Sequence, residues 1–294
     1  MRKVGWWAWV GAATIAATLA LSAVGVEIVG RYLTPLCWTG FILLTDGVLD
    51  RRGASLLRSR PRELVLMALL SIPSWLLFEL YDRPRFWRTG GPELWWHYHG
   101  LPPWPERGFG YVWSFATITP AVLLLARWLE PAFDRAVGRG AGGRVPRELA
   151  WGLVVVGAIL STLPLLWPSP YLAAEVWLAW PLLLDPVNWR LGRPSLLGDL
   201  EQGRRSRPLA LLVAGLGCGL LWEVWNMAAT SRWTYTVPFL GHLKLFEMPL
   251  LGFLGFAPFA LAVFALYQFL RGMLPGQPED SWIATTPSSP STAA

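Results

Sequence analysis

Five acidic residues fall in or against apolar stretches long enough to cross a membrane: Asp46, Glu79, Asp185, Glu223 and Glu247. An ionisable side chain at the centre of a span costs about 2.5–3.5 kcal/mol on insertion scales, so each needs a reason to be there. The glutamates stand among aromatic residues. Trp222, Trp225 and Asn226 flank Glu223, with Trp233 and Tyr235 just beyond; Glu79 has Trp75 one turn before it and Asp82 after it, then Trp95, Trp96 and Tyr98; Glu247 precedes Pro249. A carboxylate withdrawn from water keeps its proton near neutral pH, which suits a general acid, and indole and phenol faces stabilise a cation. Glu223, Glu247 and Glu79 are therefore the candidate catalytic residues. Trp222, Trp225, Asn226, Trp233, Tyr235, Trp96 and Tyr98 are the candidate substrate-binding residues.

Plainer readings stand beside these. Aromatic residues gather at membrane boundaries as an interfacial belt, and a glutamate near a helix end can accept an indole N–H or snorkel outward. Asp46 and Asp185 form a secondary acid pair, but each precedes an arginine-rich loop, where a salt bridge or turn is the simpler role. His97 and His99 with Glu93 nearby are a weak metal pattern; His242 is the one further histidine, and no metal or cofactor is assigned. The sequence contains no Walker loop, HExxH, CxxC, nucleophile elbow or dinucleotide fingerprint.

The elements that must position these residues are apolar helices. Of the 294 residues 54% are hydrophobic and 15% charged, 20 are Trp, and the mean hydropathy is +0.40. Soluble domains carry about a quarter charged residues, so a polytopic helical membrane protein is expected. Apolar runs bounded by charge, Pro or Gly predict eight spans, near 6–26, 32–49, 63–82, 109–129, 149–168, 171–188, 208–229 and 248–271. With the N-terminus inside, only Arg31, Arg83, Arg85, Arg88, Arg107, Arg232 and Lys244 of the 25 Lys and Arg fall outside. The positive-inside rule thus places both termini in the cytoplasm of an inner-membrane protein and explains the net charge of +6 without nucleic acid. Cys37 and Cys218 fall in spans as small apolar residues. The Ser/Thr/Pro-rich tail from Pro275 is expected to be disordered.

The chain also resembles itself. PSWLLFELYD (73–82) recurs as GCGLLWEVWN (217–226), placing Glu79 on Glu223 and Asp82 on Asn226; LLTDGVLDRRGASLL (43–57) matches LLLDPVNWRLGRPSLL (182–197), placing Asp46 on Asp185 and Gly53 on Gly192. Trp96-His97-Tyr98 matches Trp233-Thr234-Tyr235, and Pro120 matches Pro258. Retaining the first helix gives four spans per copy, and an even number makes the halves parallel, related by an axis along the membrane normal. The expected division is residues 1–135 and 148–273 as repeats, 136–147 as cytoplasmic linker and 274–294 as tail. At 1.5 Å per residue, Glu79 and Glu223 lie roughly 24 Å and 22 Å from the cytoplasmic end, and Asp46 and Asp185 roughly 20 Å from the outer end. Two layers of acids result.

The order of LLWEVWN, the WTY loop and FEMPLLGFLGF resembles the lycopene cyclase domain of the small membrane-bound carotenoid cyclases. The resemblance places Glu223 on that family's first acid, Trp233 and Tyr235 on its loop motif and Pro249 on its proline. Leu250 and Leu251 stand where the family has acids, leaving Glu247 as the nearby substitute. It implies a tandem helical membrane protein acting on an isoprenoid. The chain also resembles uncharacterised bacterial polytopic membrane proteins that share the WE-x-WN and FEMP strings.

Three functions are compatible with these residues: an enzyme modifying an isoprenoid, carotenoid or similar lipid by carboxylate acid–base chemistry, a proton- or cation-coupled transporter, and a non-catalytic scaffold or lipid-binding protein. The expected partner is a membrane lipid or isoprenoid. Oligomeric state is not specified by the sequence.

Overall fold

A computed structural model of the chain describes residues 2–83 and 93–275. The long helices are α1 (Trp6–Ala23), α3 (Leu33–Leu49), α5 (Pro61–Asp82), α6 (Glu106–Val137), α7 (Arg147–Leu166), α8 (Ala173–Arg190), α10 (Ser206–Ala228) and α11 (Phe253–Arg271). Shorter helices α2 (Glu27–Arg31), α4 (Leu56–Ser59) and α9 (Leu196–Glu201) lie between them. Strands β1 (Trp96–His99) and β2 (Arg232–Tyr235) pair antiparallel, as do the two-residue strands β3 (Lys244–Leu245) and β4 (Met248–Pro249). Six of the long helices are long and apolar enough to cross a membrane, as expected of a multi-pass membrane protein. The other two long helices are α3, with 17 residues, and α8, with 18. Arg85, Arg88 and the tail from 276 lie outside the described residues.

The helices form concentric layers. α6 and α11 sit at the middle, packed against α5 and α10; α3 and α8 flank them, and α1 and α7 lie outermost against α3 and α8. In α6, 56% of the most apolar stretch is buried, in α1 and α7 only 22%, so among the described residues the outer helices present apolar faces without cover. Trp6, Trp9, Trp104 and Trp167, each at least 64% exposed near a helix end, fit the interfacial belt. Small residues allow the closest packing: a Cβ on Gly11 of α1 would lie 2.3 Å from the Gly40 carbonyl oxygen of α3.

Asp46 and Asp185 perform the same task at two places. After α3 the chain turns through Gly53 at φ 70°, and after α8 through Gly192 at φ 66°, conformations that favour glycine. Each turn leads into a short helix capped by a serine: Ser55 Oγ accepts from Arg58 N and Ser195 Oγ from Gly198 N. The aspartates complete the caps. Asp46 Oδ1 accepts from the amides of Leu56 (2.7 Å) and Leu57 (3.3 Å), and Asp185 from those of Leu196 (2.7 Å) and Leu197 (2.9 Å). Asp46 Oδ2 also accepts from Ser55 Oγ and Trp7 Nε1. The turn-forming role weighed for these acids accounts for their burial.

One hydroxyl interrupts the ladder of the central helix α6. Pro120 has no amide hydrogen to give its helix, and one turn before it Ser71 of α5 enters the α6 ladder, donating to the Phe115 carbonyl and accepting from the Thr119 amide. A hydroxyl inserted into a helical ladder is a recognised cause of a kink.

Candidate functional site

The β1–β2 ribbon closes one end of the bundle over a cavity of about 150 Å³. Its register pairs Trp96 with Tyr235 and Tyr98 with Trp233. Each four-residue strand thus meets the other through the same two positions exchanged, as in a two-fold interface. His97 Nε2 lies 2.7 Å from Thr236 Oγ1, just past β2, and His99 Nε2 2.9 Å from Thr234 Oγ1 within it, so both imidazoles reach across the ribbon. Asp82 and Asn226, at the ends of α5 and α10, anchor the ribbon. Asp82 Oδ1 accepts from the amides of Trp95 and Trp96; Asn226 Oδ1 accepts from the Trp233 amide while its Nδ2 donates to the Trp233 carbonyl.

The ribbon carries two tyrosines inward. Tyr98 donates to Glu79 Oε1 at 2.6 Å, and Tyr235 donates to Glu223 Oε1 at 2.6 Å. Burial first, and then the neighbouring carboxylate, push each phenol well above its ordinary pKa, so each remains a protonated donor. The surroundings of the glutamates differ. Glu79 Oε1 also accepts from Trp75 Nε1 at 2.9 Å and Trp96 Nε1 at 3.3 Å. Glu223 is fully buried, and its Oε2 makes no hydrogen bond of ordinary geometry, although the Met248 amide and the Trp233 indole stand near the carboxylate. Trp233 Nε1 donates to the Tyr235 hydroxyl.

Of the candidate substrate-binding residues, Trp222, Trp233, Tyr235, Trp96 and Tyr98 line the cavity. Glu79 and Glu223 do not: each accepts a hydrogen bond from a tyrosine that does. Trp225 and Asn226 are also set back. Trp225 packs edge-on against Trp38 at 4.6 Å, and Asn226 holds Trp233. Glu247 lies on the turn between β3 and β4 and pairs with Arg232 at 3.8 Å, its side chain 26% exposed. It does not line the cavity; its neighbour Met248 does.

The wall contains residues the sequence reading did not single out, Trp38, Trp177, Phe256 and Phe259, together with Trp75 from beside Glu79 and with Arg31 and Arg107. Trp38 packs on Trp222 at 5.1 Å, Trp75 on Trp222 at 6.0 Å and Trp177 on Phe259 at 5.3 Å, forming one aromatic shell from five helices. Their signal was position. Trp38 and Trp177 lie inside apolar runs, away from the span ends where belt residues gather. Compared with known protein families, curated proteins and solved structures, the chain matches none.

Proposed function

We propose that the protein is a membrane-embedded acid–base enzyme that holds the apolar part of an isoprenoid or similar lipid in this aromatic cavity. One observation carries the reading: two tyrosines whose rings line an apolar cavity each donate their hydroxyl to a carboxylate withdrawn from it. The phenol oxygen can accept a proton from a bound substrate while passing its own to the glutamate. In the reverse direction, a protonated glutamate supplies the phenol, which supplies the substrate. Protonation of a double bond by one pair and return of a different proton to that same pair is redox-neutral and leaves the pair as it began, with the intervening cation facing indole and phenyl rings. The Glu223 pair is assigned the reactive role, because Glu79 Oε1 is already engaged by three donors.

We also propose that the eight long helices form two parallel repeats with both termini in the cytoplasm of the inner membrane. The exchanged ribbon register, the twin aspartate turns and the twin Tyr–Glu pairs support the duplication, and the arginine distribution supports the orientation. The test is mass spectrometry of membrane lipids and pigments from cells expressing wild type, Glu223→Gln or Tyr235→Phe. A species produced with wild type and lost in both variants at equal abundance is expected. Identical profiles from all three would overturn the enzyme reading.

A further inference from the structure

Two arginines line the cavity. Arg31, whose side chain is 25% exposed, lines it on one side, and Arg107, on the first turn of α6, lines it with Tyr111 one turn further along the same helix face. The two cations are held differently. Arg31 is neutralised by Glu106 at 2.7 Å and Glu27 at 2.5 Å. Arg107 donates its Nε to the Pro102 carbonyl at 2.9 Å and has no carboxylate within 4.0 Å among the described residues. Residues 84–92 contain no acid either. A guanidinium fixed through Nε beside an apolar chamber keeps its two terminal nitrogens for an anion, and that fork matches a phosphate. Ser114 and Ser231 add hydroxyls to the same lining, while the deep wall is aromatic.

We propose that the ligand is a single-chain amphiphile whose anionic head, of the phosphate-ester type, is held at Arg107 while its apolar chain enters the aromatic cavity. The inference rests on the lipid-cavity reading above and narrows it to substrates carrying a charged head. Arg107 is a binding residue, since it faces the head group and not the Tyr–Glu pairs.

The experiment uses the purified full chain in uncharged detergent, with binding followed by the fluorescence of the cavity tryptophans. The probes are farnesyl phosphate, farnesol and inorganic phosphate. Farnesyl phosphate is expected to bind about tenfold or more tightly than farnesol, the scale of one charge-assisted contact, and inorganic phosphate not to compete. Arg107→Gln removes that preference with farnesol affinity unchanged, which also shows that the variant is folded; Arg107→Lys restores part of it. Equal binding of the two prenyl probes by wild type, or a preference that survives Arg107→Gln, overturns the head-group proposal and leaves the apolar cavity standing. Competition by inorganic phosphate alone assigns the site to a free anion and overturns the amphiphile. Failure of both prenyl probes to bind overturns the cavity reading together with the proposal, whereas retained binding by Glu223→Gln separates either result from the acid–base chemistry.

Discussion

Glu63 and Arg271 meet from α5 and α11 across 208 residues of sequence, with Arg271 Nε 3.0 and 3.1 Å from the two carboxylate oxygens and Tyr267 donating to the same carboxylate. Both side chains are almost fully buried, at the end of the bundle opposite the ribbon. The contact ties the first half of the chain to the last helix. Arg207 at the start of α10 lies 3.8 Å from Glu130 of α6, so a second ion pair ties the halves in the reciprocal sense, with the charges exchanged.

Removing one member of a buried pair leaves the other charge uncompensated, at a cost of about 3–5 kcal/mol. Glu63→Gln is therefore expected to destabilise the protein by about that amount, while Glu63→Met with Arg271→Met recovers much of it. Thermal unfolding in detergent reads both. A double variant no better than the single would show that the ion pair itself holds the halves.

Asn226→Ala removes two hydrogen bonds to Trp233 and frees β2 from the end of α10. The expected cost is about 1–3 kcal/mol. The variant should also lose the Tyr235–Glu223 contact, so that it matches Tyr235→Phe in product formation. Unchanged turnover would mean that the ribbon does not position Tyr235.

The two aspartate turns are unequal, because Asp46 receives four donors and Asp185 two. Asp185→Ala is expected to cost about 1–2 kcal/mol, as loss of a helix cap does, and Asp46→Ala about 1–3 kcal/mol more. Neither should alter product identity or the binding of a prenyl probe. A changed product profile with Asp46→Ala would restore this pair to the chemistry.

Glu201, at the end of α9, accepts from Trp189 Nε1 at 2.9 Å and from the Val145 amide at 3.1 Å, tying the 136–147 segment to the second half. The Trp189 bond first and the Val145 bond second hold its carboxyl below the ordinary glutamate pKa. A depressed pKa means that the stabilisation is complete above the ordinary value and is lost as pH falls through the depressed one. The Tm difference between wild type and Glu201→Gln should therefore be constant near neutral pH and close as the solution becomes acidic. A difference that widens on acidification would reverse the assignment.

Helix positions were legible because spans announce themselves by composition. The run read at 63–82 is the helix Pro61–Asp82, and that at 208–229 is Ser206–Ala228. The helix read at 109–129 runs to Val137, since Leu129 and Phe133 continue to pack on the core after charged residues end the apolar run. The ribbon was not legible as a pairing. WHYH and RWTY are four residues each and 136 apart, and no local periodicity tells two such segments to meet.

Sequence alone determined that acids recur among aromatics at matched positions, because hydropathy and self-comparison are properties of the chain. Only the tertiary structure decided which atoms face the cavity. Glu223 and Tyr235 are 12 residues apart on different elements, and the ribbon's register turns the phenol inward and leaves the carboxylate behind it. Arg107 gained its significance the same way, since an arginine in a loop-to-helix junction is unremarkable until folding sets it in the lining of the cavity with no carboxylate within 4.0 Å among the described residues. Packing selects among directions that a linear pattern leaves equivalent, and the chemistry available to the site follows from that selection.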